Sequence, residues 1–140
     1  METLKNTLLV PVGDLHTDLA VIKKAVEISR NSGGDLHFLH VKQDDVIMTG
    51  GYAYMEMTVV EDWNENELQN LLDEHAEGLS TKIEIIPHGD IVDSIADRAK
   101  NYQMLIIGHH HAGLVEEFLF SSKSAKVLNR VNCDVYIAQT

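Results

Sequence analysis

The sequence has little of several things that define other classes of protein. Of its 140 residues, one is cysteine and two are proline, and aromatic residues make up 6%. Because Cys133 has no partner within the chain, a disulfide-stabilised secreted scaffold is excluded. A domain of this length buries roughly 68% of its unfolded surface, and 44% apolar residues are enough to fill its core. We therefore expect one domain over residues 1–140.

Basic residues and long apolar runs are also scarce. Eleven Lys+Arg stand against 22 Asp+Glu, which gives a formal charge of −11. Such a charge repels phosphate backbones and anionic lipids, so we expect no nucleic-acid partner and no membrane partner. No apolar run approaches the roughly 20 residues that span a bilayer, and residues 1–6 lack the apolar stretch of a signal peptide. The expected location is the cytoplasm.

Five short runs of aliphatic and β-branched residues predict buried strands. They are Thr7–Val12, Leu36–Val41, Lys82–Pro87, Met104–Gly108 and Asp134–Ala138. Runs without polar alternation are typical of strands that are covered on both faces, as in a parallel sheet.

Helical patterns lie between these strands. A helix is predicted over Asp18–Ser32, where Gly33 and Gly34 end it, and another over Glu61–Leu79. Asp90 is placed to cap a third helix, and a fourth begins near Ser121. Strands that alternate with helices predict an α/β domain of three layers, α/β/α, around a five-stranded parallel sheet.

The segment from Lys42 to Val60 has no clear period. It contains Gly50, Gly51, two tyrosines and three methionines. Two interpretations stay open: a partly ordered loop that lies over the second helix, or a Met- and Tyr-rich docking surface.

Ligands of open parallel sheets bind beyond the carboxyl ends of the strands, where the strand order reverses. Four loops lie there, beginning at Gly13, Lys42, His88 and Gly108. The loop after the fourth strand leads to Ser121 and Ser122 at a predicted helix start. Those hydroxyls could seat a phosphate or simply cap the helix.

Several of these stretches together resemble the universal stress protein family, in its UspA-like branch. They are Leu9-Val10-Pro11-Val12, Leu39-His40-Val41, Gly89-Asp90, Leu105-Ile106-Ile107-Gly108-His109-His110, Ser121-Ser122 and Val127 to Ile137. The resemblance implies a sheet of order 3-2-1-4-5, of the adenine nucleotide alpha hydrolase-like kind. It also implies a homodimer formed through the last strand, by Val135, Tyr136, Ile137 and Ala138.

The ATP-binding members of that family carry Gly-x2-Gly-x9-Gly-Ser/Thr after the fourth strand. This chain keeps Gly108 and Ser122 but has His111 and Ser121 at the other two glycine positions, and Gly13 stands where the binders have an acid. The side chains of His111 and Ser121 obstruct close approach of the backbone to a phosphate. The resemblance implies a degenerate nucleotide site at Gly13, Asp14, Val41, Gly89, Gly108, Ser121 and Ser122.

From this we expect no cofactor and no tight ATP binding, with ATP left possible. The predicted function is a stress-response regulatory or interaction module that is not an enzyme. The alternative is a nucleotide-binding universal stress protein with a divergent phosphate loop and slow ATP turnover. Cys133 lies in no nucleophile motif, and we expect an inert thiol.

Two metal hypotheses come from the histidines. Asp14-x-His16, Gly89-Asp90 and Gly108-His109-x-His111 match fragments of the calcineurin-like metallophosphoesterase pattern, although its Gly-Asn-His-Asp/Glu element is missing. Separately, His109, His110 and His111 could bind a transition metal or form a solvated loop, and we expect the loop. His37 and His40 lie three apart in a strand and are predicted to pack on opposite faces, against helices.

Overall fold

The computed structural model describes residues 4–42, 46–49, 55–58, 63–87, 89–108 and 133–138. Its elements, in chain order, are β1 (Leu4–Pro11), α1 (Leu19–Ser32), β2 (Asp35–Val41), β3 (Val46–Thr49), β4 (Met55–Thr58), α2 (Glu65–His75), β5 (Thr81–Ile86), α3 (Ile91–Ala99), β6 (Tyr102–Gly108) and β7 (Asp134–Ala138). The helix predicted near Ser121 lies outside the described residues.

Five strands form one parallel sheet in the order β5-β2-β1-β6-β7. Counting only these five along the chain, the order is 3-2-1-4-5, which confirms the predicted fold class. The registers place Leu9 beside His37 on one side and beside Leu105 on the other. β1 is therefore the central strand, and β7 is an edge of the sheet.

Alternate residues of the central strands supply two separate cores. Leu8, Val10 and Phe38 pack with the buried faces of α1 and α2 on one side of the sheet. Leu9, Leu39 and other side chains pack with α3 on the opposite side. Because the side chains of a strand alternate between its faces, an uninterrupted apolar run serves both layers. This explains why these strands carry no polar alternation.

The helix ends follow local capping chemistry. α1 ends at Gly33, whose φ of +77° is left-handed and whose N–H donates to the Ser29 carbonyl oxygen at 2.8 Å. α2 is shorter than predicted, because the Asn64 side chain accepts from the backbone N–H of Asn66 and so fixes its start. Asp90 caps α3, as predicted, by accepting from the N–H of Asp93.

The segment interpreted as a partly ordered loop or a docking surface contains two short strands. β3 and β4 pair antiparallel, with Ile47 opposite Met57 and Met48 opposite Glu56. The interpretation as a partly ordered loop did not include this pairing, because the mixed composition of the segment follows neither a helical nor a strict strand period. The predicted docking surface on this segment stays a prediction.

The described helices are all too short or too polar to cross a bilayer.

His37 was predicted to pack against a helix, and its described ring contact is with β6, which lies beyond β1 in the sheet. Its Nδ1 lies 2.9 Å from the hydroxyl of Tyr102 at the start of β6, and the two rings meet edge to face. Burial, reinforced by the charge of Lys82, lowers the pKa of His37 below its usual 6.5. The folded chain therefore holds this histidine neutral where the unfolded chain protonates it.

We expect His37 to make the protein less stable as the pH falls below about 6.5. In that range the unfolded state binds more protons than the folded state, so the free energy of unfolding decreases with decreasing pH. Urea unfolding of the parent and of His37→Gln at about pH 7.5 and about pH 5.5 measures this contribution. The variant should lose less stability on acidification than the parent does.

His16→Gln is the matched control, because His16 is exposed and its side chain lies outside the core. It should leave the parent's pH dependence in place. An equal loss on acidification in the parent and in His37→Gln would contradict the assignment.

Candidate functional site

The candidate site lies at the carboxyl edge of the sheet, between β1 and β6. From β1 the chain crosses to β2 on one side, while β6 lies on the other side, so the strand order reverses here. The loop that follows β1 therefore faces the end of β6 at Gly108. The structure brings these two predicted stretches together, as the sheet order requires.

A buried carboxylate occupies the centre of this reversal point. Asp18 is 3% exposed, and its Oδ2 accepts a hydrogen bond of 2.6 Å from the backbone N–H of Gly13. Its other oxygen lies 3.7 Å from where a Cβ on Gly108 would stand. Asp18 was predicted only as a helix start. Its side chain caps no group of α1 and instead fixes the loop after β1.

Two aromatic side chains hold the same loop from the side of α2. The ring of His40, 2% exposed, is stacked on Trp63 with centroids 4.0 Å apart. His40 Nδ1 lies 2.7 Å from the carbonyl oxygen of Val12, so that nitrogen carries the proton and donates. The indole N–H of Trp63 donates to the carbonyl oxygen of Gly13 at 2.9 Å. We call His40 and Trp63 the aromatic clamp.

The aromatic clamp refines the prediction about His40. The described contacts of Trp63 are with the loop after β1 and with His40. His40 lies on the face opposite His37, as predicted, but stacks on Trp63 just before α2 starts.

Asp14 is not paired with the buried carboxylate. It is exposed, and its Oδ1 accepts from the N–H of His16 at 2.8 Å, a local turn contact. Its own carbonyl oxygen accepts from the N–H of Asp18. Asp14 thus builds the loop that carries Gly13.

Val41 and Gly89 come together at the neighbouring pair of strand ends. A Cβ on Gly89 would lie 3.7 Å from Cγ1 of Val41 and 2.8 Å from the hydroxyl oxygen of Ser94. Gly89 is exposed and Val41 is 7% exposed, so only the glycine backbone is open to a ligand. Ser121 and Ser122, the remaining predicted site residues, lie outside the described residues.

In the part of the chain that the structure describes, no three His, Cys, Asp or Glu side chains are grouped as metal ligands. Asp14 and Asp90 are two acids of the phosphoesterase hypothesis; Asp14 accepts from a backbone N–H of its own loop, and Asp90 accepts from one in the first turn of α3. His109, His110 and His111 lie outside the described residues, so the metal hypothesis for them is untested.

The aromatic clamp gives a direct test of how the loop after β1 is held. Trp63→Phe keeps a ring against His40 but removes the donor to the Gly13 carbonyl oxygen, which should cost about 1 kcal/mol of stability. The loop should also open more often, so amide exchange at Gly13 and His16 should become faster.

Asn64→Ala is the matched control for the tryptophan variant. It removes the neighbouring helix cap at a similar cost of about 1 kcal/mol and leaves Gly13 untouched. If both variants accelerate exchange at Gly13 equally, the aromatic clamp does not hold the loop.

The model of one protein family matches nearly the whole chain, over residues 6–139, and is described as the universal stress protein family. The chain belongs to this family. As the sequence predicted, this universal stress protein is UspA-like: it is 27% identical over 139 residues to universal stress protein A homolog 2 of Coxiella burnetii, across 96% of this chain and 94% of that protein.

Solved structures of universal stress proteins share the fold. One from Archaeoglobus fulgidus matches 96% of this chain at 19% identity with a TM-score of 0.64. This chain spans only 44% of that longer one. Another, crystallised in complex with cAMP, matches 96% of both chains at 18% identity with a TM-score of 0.56. These likenesses show a common fold.

Sequence reasoning on this universal stress protein missed the three side chains that organise the site. Asp18 and His40 were interpreted as structural parts of separate elements, and Trp63 was assigned no role in the site. The signal that could have found Asp18 is its place five residues beyond Gly13, where one helical turn returns the chain to the strand end.

Proposed function

We propose that this universal stress protein acts in stress responses as a regulatory or interaction module, by binding and without catalysis, and that it does not bind ATP tightly. One observation carries the proposal. The polar groups at the point where the strand order reverses are already paired with side chains of the chain itself.

The pairing is most complete at Val12 and Gly13. Val12 donates to the Leu39 carbonyl oxygen and accepts from His40, while Gly13 donates to Asp18 and accepts from Trp63. A ligand would have to break these bonds, and a buried polar group left unpaired costs about 1–3 kcal/mol. The carboxylate of Asp18 would also repel a phosphate placed beside it.

The sequence and the thiol support a function without catalysis. The chain contains no G-x-S-x-G and no H-E-x-x-H motif. Burial raises the pKa of the Cys133 thiol, so little of the nucleophilic thiolate forms at neutral pH.

The exposed side chains of β7 support a homodimer. Val135, Tyr136 and Ile137 are 48%, 37% and 47% exposed, and β7 is an edge of the sheet. Large apolar side chains on an open edge strand favour pairing with a second copy. We therefore propose that two chains join through Val135 to Ala138. The net charge of −11 supports a cytoplasmic protein that binds neither nucleic acid nor membrane surfaces.

A second candidate function is nucleotide binding. A universal stress protein of the same fold was crystallised with cAMP. In this chain the exposed Gly89 beside Val41 leaves backbone at one strand end open to a ligand. In this second function, the presence or absence of bound ATP would be the regulatory signal, and the protein would hydrolyse ATP slowly.

Calorimetric titration of the nucleotide-stripped protein with ATP and Mg²⁺ separates the two functions. We expect no binding tighter than about 100 μM, equivalent to roughly −5.5 kcal/mol. A thermal-shift assay with the same nucleotide guards against a binding enthalpy near zero. A dissociation constant below that value would favour the nucleotide-binding function and overturn the proposal.

A further inference from the structure

A cleft outside the candidate site separates the start of α1 from α2. Its volume is about 270 Å³, and three leucines line it: Leu15, Leu19 and Leu71. Leu15 is 7% exposed, whereas Leu19 and Leu71 are half-buried. The cleft therefore offers apolar surface that the described part of the chain leaves partly uncovered.

The rest of the lining is polar and acidic. Glu67 and Glu74 lie on α2, two helical turns and about 10 Å apart. Both are exposed, and Asn70 and His16 complete the lining. Among these described lining residues there is no lysine or arginine. Two carboxylates thus flank an apolar centre, and the described lining holds no lysine or arginine that would pair with them.

We propose that this cleft docks a basic segment of a partner protein, with an aliphatic side chain in the leucine-lined centre and lysines or arginines beside Glu67 and Glu74. The volume is below the roughly 300–1,000 Å³ of pockets for drug-sized ligands, and it suits one or two aliphatic side chains. The carboxylates and the net charge of −11 favour a basic partner and disfavour a second copy of this acidic chain.

The wall of the cleft is held in place before a partner arrives. Leu15 and His16 belong to the loop after β1, which Asp18 and Trp63 fix through Gly13. Arg30 of α1 donates to the carbonyl oxygens of His75 and Glu77 and so ties the far end of α2 to α1. A rigid wall reduces the ordering cost of binding.

The test uses three labelled peptides, KKLKKLKK, KKQKKQKK and EELEELEE, in fluorescence anisotropy titrations with the full-length protein. We expect saturable binding of the first at about 100 μM. Replacing its leucines by glutamine should weaken binding by about tenfold or more, and the acidic peptide should not bind. In NMR spectra, the first peptide should shift the signals of Leu15, Leu19 and Leu71.

The variant Glu67→Gln/Glu74→Gln should weaken binding of KKLKKLKK about tenfold. Its matched control is Glu65→Gln/Glu77→Gln, which removes the same charge from the first residue of α2 and from the turn after the helix, and should change the affinity less than about threefold. All four glutamates are exposed, so both variants should fold.

Three outcomes would overturn the docking proposal: no saturable binding, equal binding of the leucine and glutamine peptides, or shifts that centre on Val135 and Ile137. Equal losses in the two double variants would also overturn it, since that result reflects general attraction to an acidic chain. The inference rests on the proposed role as an interaction module. Tight ATP binding by Glu67→Gln/Glu74→Gln would count against the role as an interaction module. The peptide titrations alone decide whether the cleft docks a basic segment.

Discussion

Replacing Gly108 by alanine is expected to lower the free energy of unfolding by about 2–3 kcal/mol. A Cβ at this position would stand 2.6 Å from Cγ2 of Val21, which is closer than carbon atoms pack. Val21 is 0% exposed and is held on α1, so it has no free space to move into. Overpacking of a filled core typically costs about 1–3 kcal/mol.

A double-mutant cycle isolates the contact between Gly108 and Val21. Val21→Ala removes the obstructing methyl, so alanine at position 108 should cost at least about 1 kcal/mol less in that background than in the parent. Gly89→Ala is the control glycine, because its Cβ would come closer than 3 Å only to the hydroxyl oxygen of Ser94, which can rotate away, and Gly89 is exposed. Full additivity of the two core substitutions would show that this contact is not the cause.

The outcome at Gly108 also bears on how a family motif is interpreted. Gly108 is the one glycine of the phosphate-loop pattern that this chain keeps, and the structure gives it a packing reason to be glycine. Helix α1 lies so close to the end of β6 that no side chain fits between them. The residue alone is therefore no sign of a phosphate site.

The strands of the main sheet could be predicted because each is a continuous apolar run. β7 was predicted with its correct bounds, and the other four differ by at most three residues at an end. Strands buried on both faces carry this pattern locally, whatever their neighbours. The order of the strands depends on contacts between distant residues, and it came from the family resemblance.

The contacts of the site could not be predicted, because each joins elements that are far apart in sequence. The hydrogen bond from Trp63 to Gly13 spans 50 residues, and that between His40 and Val12 spans 28. A tryptophan before a helix and a histidine in a strand have many possible partners, and local pattern does not select one. The β3–β4 hairpin was missed for another reason: its mixed composition follows neither a helical nor a strict strand period.

Placing a lysine on β7 is expected to dissociate the proposed homodimer. Ile137 is 47% exposed and lies on the same face as Val135, in the last strand of the sheet. In a paired edge, the ammonium of Ile137→Lys would be desolvated and would face its own copy across the dimer. We expect the dissociation constant to rise about 100-fold or more, or roughly 2.7 kcal/mol, as measured by sedimentation equilibrium.

Ser80→Lys is the matched control for the edge variant. It adds the same charge at an exposed residue just before β5, the opposite edge strand of the sheet, and should leave the dissociation constant unchanged within about twofold. In a single chain the half-exposed side chains of Val135 and Ile137 stay in contact with water. A parent protein that sediments as a monomer at micromolar concentration would therefore refute the proposal that β7 covers them by pairing. A dimer that survives Ile137→Lys would place the interface elsewhere, since an edge strand cannot pair around a buried, unneutralised lysine.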